Sequence, residues 1–125
     1  MQYEEFIAQV CQDASIGDRT RAESAVEASL HVLGQRLAGS EPLDLAAQLP
    51  ARLREVLTGH QDTGETFGVD EFCRRVAQRE GNHASPDAAL DHARAVLGTV
   101  ARTVGAREVD QLRSQLPPGY TVLMQ

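Results

Sequence analysis

Tyr3-Glu4-Glu5-Phe6-Ile7-Ala8-Gln9-Val10 returns about 66 positions later as Val69-Asp70-Glu71-Phe72-Cys73-Arg74-Arg75-Val76. Further along, Leu45-Ala46-Ala47-Gln48-Leu49-Pro50 returns as Leu112-Arg113-Ser114-Gln115-Leu116-Pro117, now about 67 positions on. A single insertion accounts for the change of register. What repeats is mostly apolar spacing and turn punctuation, so the duplication encodes architecture rather than a pair of active sites.

In the first copy, Tyr3, Phe6, Ile7, Val10, Cys11 and Ala14 follow the 3.6-residue period of a helix, and positions 69, 72, 73, 76 and 77 repeat it. Each half therefore opens with a short amphipathic helix. Ser15-Ile16-Gly17-Asp18 and Gly81-Asn82-His83-Ala84 interrupt the period. Thr20 and Ser85 are read as caps of the second helix in each half, with Pro86 suited to a first helical position. This long helix carries Ala22, Val26, Leu30, Leu33 and Leu37, and the second copy carries Ala89, Ala93, Leu97, Val100 and Val104 at the same spacings. Gly39 and Gly105 are read as left-handed stops.

Ser40-Glu41-Pro42 restarts a helix bearing Leu45 and Leu49, matched by Leu112 and Leu116. The Leu-Pro step ends it, because a residue before proline is pushed out of the α region. Pro50 can then open a last helix with Leu53, Val56 and Leu57. Pro117-Pro118-Gly119 makes the matching element short, with a non-helical course left open. No run shows the two-residue alternation of a strand.

The expected fold is all-α: a helical bundle of two tandem, pseudo-twofold-related repeats of three to four helices each. Residues 1–125 form a single domain, with repeat one about 1–58, a linker about 59–68 and repeat two about 69–125. A half of this size would bury only about 60% of its unfolded surface. The two opening helices and the two long helices are therefore expected to pack on each other.

The chain of 125 residues carries a formal charge of −6. Residues 1–62 hold five Arg against ten acids, and the remainder seven Arg against eight. Neither half has the basic excess that phosphate-backbone binding needs. Arg52 with Arg54, and Arg74, Arg75 and Arg79, lie among acids three to five residues away, which predicts mutual pairing on a solvated face. No nucleic-acid partner is expected. The absence of Lys reads as the codon bias of a GC-rich genome. No stretch approaches a membrane span, and Met1-Gln2-Tyr3-Glu4-Glu5 is acidic where a signal peptide is basic. The expectation is a soluble cytoplasmic protein with no membrane partner.

His83, Asp87, Asp91 and His92 are the candidate metal-binding residues. Asp87 and Asp91 share a helix face, but the spacing is none of the strong ligand patterns, and acidic residues in a first helical turn have an electrostatic reason of their own. His60, Asp62 and Glu65 lie in the link, where nothing forces ligands to converge. His31, four residues after Glu27, reads as an exposed helix pair. Cys11 and Cys73 sit on apolar helix faces and read as small hydrophobes. Gln48 and Gln115 are read as the one long polar side chain kept in both halves; the structural reading has them bonding main-chain groups freed where Pro breaks the helix, against twin ligand contacts. No nucleophile elbow, activated cysteine or phosphate loop is present, so no enzyme activity and no cofactor is expected.

The paired Glu-x-Phe openings and the run Ala46-Ala47-Gln48-Leu49-Pro50-Ala51-Arg52-Leu53-Arg54 resemble a bacterial family known as domain of unknown function 2267. The resemblance covers essentially the whole chain, and Asp44-Leu45-Ala46-Ala47-Gln48-Leu49-Pro50 carries most of it. It implies a small helical bacterial protein and brings no activity or catalytic residues. The functional expectation is a non-catalytic helical protein-interaction module, self-association included. The alternative is a small-molecule or metal-binding helical domain with its site between the repeats.

Overall fold

A computed structural model describes residues 1–59, 64–81 and 84–124. They form helices and no strand. The helices are α1 (Tyr3–Asp13), α2 (Arg19–Arg36), α3 (Glu41–Ala46), α4 (Ala51–Thr58), α5 (Val69–Glu80), α6 (Pro86–Thr103) and α7 (Ala106–Gln115). A 3₁₀ turn over Pro118–Tyr120 then leads into α8 (Thr121–Met124). The last element is thus helical, because a 3₁₀ turn accommodates the Pro-Pro-Gly step and lets Tyr120, Leu123 and Met124 reach the core.

α2 and α6 are both 18 residues long and pack on each other. Every residue of the two apolar stripes is buried, from Ala22 to Leu37 and from Ala89 to Val104. The opening helices behave differently from expectation. α1 packs on α2 and α6, and α5 on α6 and α2, rather than chiefly on each other. The paired long helices present enough apolar surface to cover both stripes. One core results, shared by Phe6, Val10, Leu30, Phe72, Val76, Leu97 and Tyr120.

Local signals explain most boundaries. Ser85 caps α6 by accepting from Ala88 N–H at 3.1 Å, with Pro86 next to it. The cap of α2 is Asp18 rather than Thr20, since the Asp18 carboxylate accepts from the Thr20 N–H at 2.9 Å. Gly39 is left-handed with φ 65°, but it is not the stop of α2, which already ends at Arg36 with Leu37 extended (ψ 146°). Gly105 is extended instead (φ −73°, ψ 159°), because a side chain from the other half fixes its amide. Pro50 precedes α4, and Gly68 precedes α5.

The second aromatic group ties the link to the core. Tyr120 Oη donates to Phe67 O at 2.7 Å, and the buried Arg36 donates to the same oxygen at 3.1 Å. The rings of Phe72 and Tyr120 meet edge to face at 5.7 Å.

Candidate functional site

α3 and α7 each begin with an acid in the first turn, where the helix dipole favours a carboxylate: Glu41 in α3 and Glu108 in α7. The two helices pack together, so both acids are enclosed, at 5% and 7% exposure. Glu41 is held far above the ordinary carboxylate range. Burial is the main cause, followed by its hydrogen bond to Glu108 and the charges of Glu108 and Asp44. Two facing carboxylates cannot both ionise cheaply. With both ionised, Oε1 of Glu41 and Oε1 of Glu108 would be buried without a donor. A proton shared between them would relieve the repulsion and supply one.

Two glutamines frame this pair. Gln48 accepts from the Gly105 N–H at 2.9 Å and donates to Glu108 Oε2 at 3.3 Å. Gln115 accepts from the Ala38 N–H at 2.8 Å and donates to Ala38 O at 3.3 Å. Both therefore bond main chain, as the structural reading held. The groups they serve are those leaving α6 and α2, not those beside the Leu-Pro steps.

Two clefts lie on the seam between the halves. The larger, of about 560 Å³, runs from the end of α1 along α6 and is lined by Asp13, Ser15, Asp91, Arg94 and Arg102. Asp13 and Arg102 pair across it, while Arg94 is exposed and makes no ion pair among the described residues. The smaller, of about 280 Å³, lies where α5 ends against α2 and α6 and includes Arg21, Ser24, Glu80, Ser85 and His92. His92 Nδ1 there contacts both Glu80 oxygens, at 2.9 and 3.0 Å.

Asp87, Asp91 and His92, the metal candidates among the described residues, do not converge. Asp91 faces the larger cleft and His92 the smaller; Asp87 lines a third, beside Cys73 and Leu90. His83, like His60 and Asp62, lies outside the described residues. Glu65 pairs with Arg75 at 3.2 Å. Among the described residues no three His, Cys, Asp or Glu side chains gather as ligands. Cys73 is buried, and burial with the nearby Asp70 raises its thiol pKa, the opposite of activation. His31 is half-buried rather than exposed, and Glu27 reaches Arg79 at 3.7 Å. The arginines of α5 pair with acids as expected: Arg74 and Arg75 both bind Glu71, at 2.6 and 2.8 Å.

Glu41 and Glu108 escaped the reading of the sequence. Their separation of 67 positions is that of Gln48 and Gln115, so the glutamines are not the one long polar side chain kept in both halves. Each Glu also precedes its Gln by seven residues.

A family described as an uncharacterized conserved protein, DUF2267, matches residues 3–123. The chain belongs to this family. A separate likeness is short: 53 residues are 32% identical to part of the threonine–tRNA ligase of Mesorhizobium japonicum. That stretch covers 42% of this chain and 8% of the ligase. Within the DUF2267 chain, then, the seam between α1–α4 and α5–α8 brings together the buried acids, both glutamine contacts and two polar clefts.

Proposed function

We propose that this DUF2267 protein is a non-catalytic protein-interaction module made of two copies of one helical unit. The copies are residues 1–58 and 69–125, linked by 59–68 and related by a pseudo-twofold axis. Reciprocal contacts support the symmetry: Gln48 serves Gly105 as Gln115 serves Ala38, and Glu41 meets Glu108. The equal lengths of α2 and α6 agree.

The observation that carries the functional reading is the open cleft of about 560 Å³ with acids and arginines on its walls. Among the described residues only Met1 and Leu43 are large exposed hydrophobics. Recognition thus rests on charge and shape, and the fitting occupant is a partner segment bearing both signs of charge. With an acidic balance and α5 arginines engaged by acids, nucleic acid is not the proposed partner.

The test is capture of partners from the native host by the wild type, Arg94→Glu and Asp91→Arg, with sedimentation to detect self-association. A partner held by the wild type and lost by both variants supports the reading. Recovery unchanged by either variant, or a strict monomer with no partner, counts against it.

The half-buried His92–Glu80 contact in the smaller cleft favours a second reading, a site for a small ligand or divalent ion. Thermal-shift screening decides it, since a ligand at 100 times its dissociation constant adds about 2.7 kcal/mol. The added stability must vanish in His92→Ala.

A further inference from the structure

We infer that Glu41 and Glu108 form a proton-held latch: one shared proton keeps α3 closed on α7, and its loss loosens the seam between the halves. Two enclosed carboxyl groups from opposite halves meet there, each with an oxygen that has no donor when both are ionised. An acid pair kept for solubility or capping would face water. This one is shielded, so each charge lacks the hydration that makes exposed acids cheap.

Among the described residues, the surroundings supply no compensating cation. From α3 the neighbouring charge is Asp44, which adds to the repulsion. On α7, Arg107, Asp110 and Arg113 are exposed. On α4, which also packs on α3, Leu53 and Leu57 point inward while Arg52, Arg54 and Glu55 are exposed. Arg52 lies over the Tyr3 ring, 4.1 Å from its centre. The proton is therefore what balances the pair.

Loosening would spread along the contacts already described. Gln48 bonds Glu108 and the Gly105 amide at once, so displacement of Glu108 bears on the junction after α6. The sign is set by the raised Glu41 pKa, about 8 against an ordinary 4.5. Between those values the folded chain holds a proton that the unfolded chain releases. The stabilisation is complete below about 4.5 and is lost as pH rises through about 8.

Thermal unfolding from pH 5 to 9, with amide exchange measured at pH 9, tests the latch on the full chain. The wild type should lose roughly 5 °C or more in Tm across this range. Glu41→Gln, a neutral mimic of the protonated acid, should flatten the profile and melt higher than the wild type at pH 9. At that pH the Gly105 amide should exchange several-fold faster in the wild type than in Glu41→Gln. Glu108→Gln provides a second variant with the same expected profile. A flat wild-type profile, or variants that keep its slope, overturns the latch. So does failure of both variants to fold, since a neutral side chain at either position should be tolerated.

Discussion

Gln48 and Gln115 each hold a backbone amide of the other half: Gln48 Oε1 accepts from Gly105 N–H at 2.9 Å and Gln115 Oε1 from Ala38 N–H at 2.8 Å. Both amides come just after a long helix, where the chain turns away from helical geometry at Leu37 and Val104. Main-chain groups at a helix end need partners, and here a side chain 57 or 77 residues distant supplies them. The halves are thereby fastened at their turns as well as through the core.

These contacts are open to water, so each is worth the net value of an ordinary hydrogen bond, about 0.5–1.5 kcal/mol. Urea unfolding of Gln48→Ala and Gln115→Ala should show losses in that range without a change in m-value. Gln48→Ala should cost more, because it also removes the donor to Glu108. A loss in both variants below about 0.3 kcal/mol would mean that water replaces the glutamines.

The core makes a stronger demand. Leu30 and Leu97 are fully buried on the paired long helices, and truncating either to Ala should cost about 2–5 kcal/mol. A loss below about 1 kcal/mol would place that residue off the core. Because α1 and α5 each lean on both long helices, residues 1–58 alone should lack a cooperative melt as a monomer. Circular dichroism of that fragment checks the claim.

The apolar stripes made the helices legible, because burial acts on every third or fourth residue alike. Val26 and Leu97 announce themselves by spacing alone. The seam was harder to read, since its chemistry joins residues far apart in sequence. Nothing local distinguishes Glu41 from an exposed first-turn acid; only the packing of α3 on α7 encloses it. His92 invited a metal reading through its neighbours Asp87 and Asp91, yet the side chain turns to Glu80, the last residue of α5. The repeat held a usable clue in the equal separations of Glu41–Glu108 and Gln48–Gln115.

Ser15 is the one non-glycine residue with positive φ, 55°, among the described residues. It comes just after α1, where Ile16 N–H bonds Cys11 O at 2.9 Å in a helix-ending turn that favours glycine. Ser15→Gly should raise stability by about 0.5–1 kcal/mol, as the left-handed strain is relieved and part of the gain is offset by glycine's unfolded-state entropy. Chemical denaturation checks this, and a destabilised variant would show that the Ser side chain has a role in the cleft it lines.

Part of the acid limb of stability should trace to Glu71. Hydrogen bonds from Arg74 and then Arg75 lower its carboxyl to about 2, from an ordinary value near 4.5. The folded chain therefore keeps this group ionised where the unfolded chain protonates it. Its contribution is present above about 4.5 and is lost as pH falls toward 2. Both arginines and the acid face solvent at least in part, so salt should weaken the effect. Glu71→Gln should flatten the melting profile below pH 4.5 and leave the alkaline limb of Glu41 intact. In 1 M salt the wild type should approach the variant on the acid side. An acid limb of equal steepness in both proteins would assign it to other carboxylates.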